Sequence, residues 1–307
     1  MLTAFGDVQR TCCQPPPSAS TRLTWTSGSP GKSSNCNPHA QAFKRFERAG
    51  WTEVAARYHE AFSRLTQQAI DPLLDAAGVG AGMRVLDVAT GPGHAADAAA
   101  RRGATPIGID FSETMVAEAR RHYPHLEFRA GHAESLAFGD AEFDAVVCNF
   151  GMLHFAEPER AAAEAFRVLK PGGCYAFTVW DAPERAATFG LVLRAVESQG
   201  NLDVSLPPGP PFFRFSDPTE ARRLLEQAGF VNPSHRTLPL AWQIEDSDVL
   251  LGIFLEGGVR TRALLRAQTP EAMISIREAL RAGAREFDRG SALDLPTPAV
   301  LSAGSKP

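Results

Sequence analysis

The chain has 307 residues, of which 44% are hydrophobic and 21% charged, a balance typical of a globular protein with enough apolar material for a sizeable core. Its formal net charge of -4 does not favour a nucleic-acid partner, because phosphate backbones are bound by basic surfaces. No uninterrupted apolar stretch is long enough to span a bilayer, so we expect no membrane span. The composition leaves the oligomeric state open.

The N-terminal segment differs in composition from the rest of the chain. Residues 1–38 are rich in Ser, Thr, Pro and Cys and contain a single acid, Asp7. We expect residues 1–39 to form a disordered extension, because such a segment cannot bury enough surface to fold. An organelle transit peptide, which is also acid-poor and Ser-rich, is the alternative, although Pro15–Pro17 would break a targeting helix.

The cysteines indicate a reducing compartment. No pair of them has metal-ligand spacing, and their odd number does not favour a disulfide framework. Two of them lie in apolar runs, where a reduced cysteine packs as a small core residue. We therefore expect a cytoplasmic protein with no metal site. The five are Cys12, Cys13, Cys36, Cys148 and Cys174.

The remainder is predicted to be one domain over residues 40–304, followed by a short tail at 305–307. Residues 40–80 are predicted to be helical. Trp51, Tyr58 and Phe62 recur there at helical spacing and give one helix an apolar, partly aromatic face. A second helix is predicted over Thr66–Ala77, ending at Gly78.

Short apolar runs alternate with helical segments over residues 81–180. The predicted strands are Arg84–Val88, Pro106–Asp110, Glu127–Ala130, Ala145–Asn149 and Cys174–Trp180. Strict alternation of strand and helix implies crossover connections and therefore a mostly parallel sheet. We expect a doubly wound, Rossmann-like α/β fold with helices on both faces and the N-terminal helices as a lid. Residues 181–304 should add a helical insertion before a final antiparallel strand near Ala299–Ala303.

A glycine-containing turn follows the first strand, over Asp87–Ala96 (DVATGPGHAA). Its Gly91-x-Gly93-x-x-Ala96 spacing also satisfies the fingerprint of dinucleotide-binding folds. In those folds the strand leads directly into the glycines, whereas here Asp87 closes the strand and three residues precede Gly91. A carboxylate at this position suits a ligand with a cationic amino group rather than a pyrophosphate.

Four further characteristic segments follow this turn along the chain. The five segments are VLDVATGPGHAA (85–96), GIDFSETMV (108–116), GHAESLAF (131–138), FDAVVCNFGMLHF (143–155) and FRVLKPGG (166–173). In sequence and spacing, residues 83–180 resemble the class I S-adenosylmethionine-dependent methyltransferases. Among these they are most similar to the small-molecule enzymes of ubiquinone and menaquinone biosynthesis.

The resemblance implies a set of cofactor-binding residues. Asp87 and Gly91 would line the methionine end of S-adenosylmethionine, and Gly93 would support the turn. Asp110 would accept hydrogen bonds from both ribose hydroxyls, although it could instead cap the following helix. The other implied contacts are Phe111 and Met115 around the adenine, His132 and Ala133 at its edge, Asn149 beneath the sulfonium, and Ala89 and Phe150 in the adjoining turns. Where the family often has an acid, this chain has His132.

The acceptor side is indicated by aromatic residues outside these segments. The candidate wall residues are Trp51, Tyr58, Phe62, Phe213 and Trp242. Such an apolar set favours a small, apolar or aromatic organic acceptor, although these residues could also simply cover the domain. His154, just after the fourth strand, is the candidate general base, with a positioning role as the alternative.

We therefore expect an enzyme that transfers a methyl group by in-line displacement. Two other interpretations remain open. A catalytically silent cofactor-binding protein would retain the same motifs. A nicotinamide-dependent oxidoreductase would share the glycine fingerprint, but it does not predict the LKPGG segment or the segment around Asn149.

Overall fold

The structure, a computed structural model, describes residues 38–307, except for the side chains of residues 56–61. Nearly all of the predicted extension, and its alternative as a transit peptide, lie outside the described residues. The side chain of Tyr58, a candidate acceptor residue, lies outside them as well.

The N-terminal part is helical, as predicted. Helix α1 (Pro38–Ala61) is followed by the short α2 (Ser63–Thr66) and by α3 (Ile70–Ala76), with one 3-10 turn between the last two. The single helix predicted over Thr66–Ala77 is thus divided at its start. It ends where expected, because Gly78 has φ +65, a left-handed conformation that glycine adopts without strain.

Strands and helices then alternate. The strands are β1 (Arg84–Val88), β2 (Thr105–Asp110), β3 (Glu127–Ala130), β4 (Phe143–Asn149) and β5 (Leu169–Trp180). The helices between them are α4 (His94–Arg101), α5 (Glu113–His122) and α6 (Pro158–Val168). Pro158 opens α6 at a position where its missing N–H costs nothing. Strand β5 begins five residues earlier than predicted and includes the KPGG segment.

The rest of the described chain adds two closing strands, a small two-stranded sheet and a helical insertion. Its elements are α7 (Ala187–Gln199), α8 (Pro218–Gln227), β6 (Val231–Leu238), β7 (Ala241–Ile244), α9 (Ser247–Gly257), α10 (Arg260–Arg266), α11 (Pro270–Ala284), β8 (Leu293–Pro296) and β9 (Ala299–Ser305). Sequence patterns did not predict β7, β8 or α10, all of which are only four to seven residues long.

In the described residues, the main sheet has seven strands in the order β3-β2-β1-β4-β5-β9-β6, and β7 pairs with β8 in a second sheet. Strands β1 to β5 are parallel, whereas β9 runs antiparallel to β5 and β6. Helices α9 to α11 lie between β7 and β8 in the chain. The predicted α/β fold, with a helical insertion before a final antiparallel strand, is confirmed.

Both faces of the sheet are covered. Successive strand residues point to opposite faces, and Tyr175–Trp180 of β5 are all buried. Helices α3 and α4 pack together over the sheet, and α6 and α8 form a second pair. No helix within residues 38–307 has the length and apolar character needed to cross a membrane.

The topology indicates where a ligand would bind. From β1 the chain moves to β2 on one side of the sheet, and it later returns to place β4 on the other side. Ligands of open α/β sheets bind at such a switch point, beyond the carboxyl ends of the strands.

Candidate functional site

A pocket lies at the carboxyl ends of β1 to β4, and we call it the glycine-turn pocket. Its wall contains nine of the eleven predicted cofactor-binding residues: Ala89, Gly91, Asp110, Phe111, Met115, His132, Ala133, Asn149 and Phe150. Asp87 and Gly93 are not in the wall. The other side chains in the wall include Lys44, Glu47, Trp51, Glu134 and His154.

The two glycines of the turn differ in their surroundings. Gly91 has φ +52, and a Cβ built on it would meet no protein atom within 4 Å among the described residues. Open space therefore faces the backbone at Gly91. Gly93 has φ +89, and its Cβ would lie 2.8 Å from Cζ of Phe128. A side chain at position 93 would therefore clash with Phe128 behind the turn, so this position requires glycine.

Asp87 stabilises the turn through hydrogen bonds. Its Oδ2 accepts hydrogen bonds from the Thr90 hydroxyl at 2.6 Å and from the Ala96 amide at 3.1 Å. Its Oδ1 is buried and has no hydrogen-bond partner in the described chain. Burial raises the pKa of Asp87 to about 7, with a further contribution from the charge of Asp110, although the two hydrogen bonds oppose it. A cationic group near this carboxylate would relieve the cost of burying its charge.

Asp110 lies in the pocket wall at the end of β2. Its Oδ2 accepts a hydrogen bond from the Gly91 amide at 3.0 Å, and its Oδ1 accepts one from the Ser112 amide at 2.9 Å. Each oxygen keeps a second lone pair. The side chain of Ser112, rather than Asp110, caps α5 by accepting from the Met115 amide. Burial raises the pKa of Asp110 to about 6, although these backbone hydrogen bonds oppose the shift.

His132 stands between the pocket and the lid helix α1. Its Nε2 lies 3.4 Å from Nη2 of Arg48, which also donates to the carbonyl of Phe111 at 3.1 Å. Burial and the positive charge of Arg48 lower the pKa of His132, although Glu134 opposes this. Since a guanidinium only donates, Nε2 is the acceptor in this contact.

Asn149 and Phe150 close the pocket where β4 ends. The Asn149 amide donates to the carbonyl of Thr66 at 3.1 Å, and its oxygen accepts from the Thr178 hydroxyl at 2.7 Å. Phe150 has φ +57 and stacks on Trp180 with ring centroids 4.0 Å apart. The left-handed backbone of Phe150 is strained for a residue with a side chain, a feature typical of functional sites.

His154 is held by two elements that are distant in sequence. Its Nδ1 lies 3.0 Å from Oε2 of Glu47 on α1, and Oε1 of Glu47 accepts from Nε of Arg260 on α10 at 2.8 Å. Glu47 is 1% exposed. Burial alone would raise the pKa of Glu47, but His154 and Arg260 outweigh it and hold this pKa below its ordinary value. The Trp51 ring packs edge-on against the imidazole at 4.8 Å.

A second pocket adjoins the first, and we call it the aromatic pocket. Trp51, Phe150 and His154 line both pockets. The further ring-bearing residues of the aromatic pocket are Phe62, Trp180, Phe189, Phe212 and Phe254. The two pockets therefore meet at His154.

The predicted acceptor residues are only partly brought together. Trp51 and Phe62 line the aromatic pocket, whereas Phe213 and Trp242 do not. Phe213 packs edge-on against Phe212 and Phe189, one layer behind the wall. Trp242 is buried against Phe62, with ring centroids 5.3 Å apart.

Sequence patterns missed the charged residues at the site. Glu47 and Lys44 lie on an amphipathic helix, where charged residues usually face solvent. Lys44 instead forms ion pairs of 2.7 Å with Glu134 and Glu157. Arg260 lies in a short helix that no periodicity predicted. No local signal identifies these residues, because their partners are far away in the chain.

Comparison with known proteins identifies the core of the fold. Residues 86–177 match the sequence model of a family described as "Methyltransferase domain". This segment is a methyltransferase domain. It is similar to the class I methyltransferases that use S-adenosylmethionine.

Two relatives are similar over this part of the chain. Demethylmenaquinone methyltransferase of Renibacterium salmoninarum is 44% identical over 101 residues, which are 33% of this chain and 43% of the relative. The protein of the same name from Beutenbergia cavernae is 35% identical over 154 residues, 48% of this chain and 64% of the relative. The chain thus spans about half the length of these relatives.

A solved structure supports the fold assignment over a longer range. Phosphoethanolamine N-methyltransferase 2 of Haemonchus contortus, in complex with S-adenosyl-L-methionine, superposes with a TM-score of 0.52 at 18% identity. The match covers 86% of this chain and 60% of that chain. At this level of identity the likeness concerns the fold alone.

Proposed function

We propose that the protein transfers a methyl group from S-adenosylmethionine to a small, apolar or aromatic organic acceptor. The observation that carries this proposal is the junction of the two pockets. The glycine-turn pocket contains nine of the eleven residues that the resemblance assigns to the cofactor, and it meets an aromatic pocket at Trp51, Phe150 and His154.

The residues around the glycine-turn pocket fit this cofactor. S-adenosylmethionine carries a cationic sulfonium and a cationic amino group, and the buried Asp87 carboxylate is hydrogen-bonded to the turn that lines the pocket. Oδ1 of Asp87 has no hydrogen-bond partner in the described chain, and Asp110 lines the pocket wall. The space at Gly91 is open. Asp110 would hold the ribose, and Phe111 and Met115 the adenine.

Bound S-adenosylmethionine would supply a methyl group on a sulfonium, whose departure as a neutral thioether needs no acid. The protein's part is then to align the two reactants and exclude water. Alignment of this kind supplies about 7–11 kcal/mol in favourable cases. The rings of the aromatic pocket would provide both effects, since they form an apolar wall against the acceptor. The structure therefore needs no compact catalytic triad for this reaction.

The acceptor class is narrowed by pocket chemistry and by the relatives' names. An aromatic wall suits ring-containing acceptors, and the two relatives are named for a quinone acceptor. We therefore place phenols and quinols first among the candidate acceptors, with aromatic amines as the comparison. His154, where the two pockets meet, is the candidate base for an acceptor that arrives protonated.

The test is a labelled-methyl assay. Purified protein is incubated with methyl-labelled S-adenosylmethionine and a panel of phenols, quinols and aromatic amines, and the label is followed into the organic products. We expect transfer to at least one ring-containing acceptor. A protein that binds S-adenosylhomocysteine in calorimetry but transfers no label to any member of the panel would be the silent cofactor-binding protein. Binding of NADH, with no response to S-adenosylmethionine, would instead indicate an oxidoreductase.

A further inference from the structure

Three side chains from separate parts of the chain meet at the junction of the two pockets. Glu47 comes from α1, His154 from the turn after β4, and Arg260 from α10. The Glu47 carboxylate bridges the other two, at 3.0 Å to His154 Nδ1 and 2.8 Å to Arg260 Nε. Arg260 is fixed in turn, because its two Nη atoms donate to the carbonyls of Pro210 and Leu153 at 2.8 and 2.9 Å.

These contacts determine which imidazole nitrogen carries the proton. An ionised carboxylate only accepts hydrogen bonds, so Nδ1 of His154 must be protonated to donate to Glu47. In a neutral imidazole, Nε2 is then the unprotonated nitrogen with a free lone pair. Nε2 has no hydrogen-bond partner among the residues that the structure describes.

We propose that Glu47 is a positioning residue that holds His154 as the Nδ1–H tautomer, so that Nε2 accepts the proton of an acceptor hydroxyl. This inference rests on the proposed function and narrows the acceptor to a compound that presents a hydroxyl group. An amine attacks through a lone pair that is already free, whereas a hydroxyl gains nucleophilicity as its proton leaves. A base fixed by a buried carboxylate therefore serves a hydroxyl acceptor best.

The step balances without any additional reactant. The acceptor oxygen forms a bond to the methyl carbon, and the bond between that carbon and sulfur breaks with its electron pair remaining on sulfur. The hydroxyl proton passes to Nε2, and the resulting imidazolium is stabilised by the negative charge of Glu47. Arg260, whose Nε donates to Oε1 of Glu47 at 2.8 Å, favours the ionised form of that buried carboxylate.

Glu47→Gln provides a sharp test because Arg260 fixes how the new amide is oriented. The Arg260 guanidinium can only donate, so the glutamine oxygen must face it, and the amide NH2 must then face His154. Against an NH2 donor, Nδ1 becomes the acceptor and the proton moves to Nε2. The variant thus reverses the tautomer with almost no change in shape, a change that lowers turnover by roughly 10⁴-fold in a hydrolase with a similarly oriented histidine.

The primary measurement is ¹⁵N NMR of the imidazole nitrogens in the full chain at about pH 9, roughly 2.5 units above the ordinary histidine pKa. His154→Gln identifies the His154 signals among those of the eight histidines. We expect a protonated Nδ1 and an unprotonated Nε2 in the wild type, and the reverse in Glu47→Gln. A protonated Nε2 in the wild type, or an unchanged tautomer in the variant, would overturn the proposal.

The second measurement is turnover on the phenolic and amine acceptors of the labelled panel. Glu47→Gln should slow transfer to the phenols by about 10²–10⁴-fold through kcat, while the affinity for S-adenosylhomocysteine in calorimetry stays within about threefold. Glu53→Gln is the matched control, since Glu53 also joins α1 to α10, through Arg262 and Arg266, but does not touch His154. It should turn over at the wild-type rate.

The outcomes separate this inference from the proposed function. Transfer to amines alone, or equal rates for Glu47→Gln and Glu53→Gln on phenols, would overturn the positioning role and leave methyl transfer intact. Failure to bind S-adenosylhomocysteine would instead refute the proposed function, and the NMR result would still stand by itself.

Discussion

Replacing Asp110 with alanine removes the carboxylate that would bind the ribose of the cofactor. In the wild type, each Asp110 oxygen accepts a hydrogen bond from one backbone amide, and the residue lines the glycine-turn pocket. The pKa of about 6 means that the group is ionised at pH 8, so hydrogen bonds from the ribose hydroxyls would be charge-assisted. We expect the variant to lose about 1.5–3 kcal/mol of binding free energy, roughly a 10- to 150-fold weaker Kd.

Calorimetric titration with S-adenosylhomocysteine at about pH 8 measures this loss. The matched control is Asp246→Ala, because Asp246 also accepts two backbone amides, at the start of α9, but does not line the glycine-turn pocket. The control should bind with wild-type affinity. Equal affinity of Asp110→Ala and the wild type would refute the ribose assignment.

The same pKa predicts how this difference varies with pH. At about pH 5, roughly one unit below the pKa of Asp110, only about a tenth of the ligand-free protein has this carboxyl ionised. The wild type must then lose a proton to make the charged contacts, so the gap between the wild type and Asp110→Ala should shrink about tenfold. A gap that stays constant from pH 8 to pH 5 would show that the charge of Asp110 does not contribute to binding.

Three further predictions concern the turn and the junction. A carboxyl whose pKa is higher in the folded protein stabilises the fold at low pH, and this stabilisation is lost as pH rises through the folded value. Because the pKa of Asp87 rises from 3.8 to about 7 on folding, the wild type should lose roughly 4 kcal/mol of unfolding free energy between pH 4 and 8 that Asp87→Asn does not lose. Urea denaturation of both proteins at the two pH values measures this difference. An equal change in the two proteins would contradict the prediction. Gly91→Ala should weaken binding of S-adenosylhomocysteine at least tenfold, because the new Cβ would enter the pocket. The control is Gly172→Ala, where glycine also has a positive φ (+81) and open surroundings; it should lose about 1 kcal/mol of stability and keep the wild-type affinity. Equal affinities of the two variants would show that Gly91 does not face the ligand. Binding of S-adenosylhomocysteine should change the tryptophan fluorescence. Trp51→Phe should remove most of that change, because Trp51 lines the glycine-turn pocket while Trp180 and Trp242 do not. An undiminished signal would mean that Trp51 does not face the ligand.

The sheet and its turn were predictable because their signals are local. A buried parallel strand requires a short run of apolar residues, and a helix start or stop requires particular residues within one turn. Arg84–Val88 and Glu127–Ala130 therefore match the predicted strands residue for residue. Elements of four to seven residues, such as β7, β8 and α10, are too short to show a period, so the patterns missed them.

The aromatic residues show what the sequence could not predict, namely which rings line the pocket. Trp51, Phe62, Phe213 and Trp242 are equally suggestive as sequence, yet only Trp51 and Phe62 line the aromatic pocket. Whether an aromatic side chain lines the pocket depends on packing between helices that are remote in the chain. Phe189 and Phe254, which do line the pocket, lie in helices whose patterns gave no reason to single them out.

By itself, the sequence determined the α/β fold, the glycine turn and the cofactor class, because contiguous motifs and short periods encode all three. Only the tertiary structure decided how His154 is oriented. The residues that hold it are separated by 107 positions between Glu47 and His154 and by 213 between Glu47 and Arg260. No local pattern records such a contact, because it exists only once the lid helix α1 and helix α10 have packed over the carboxyl ends of the strands.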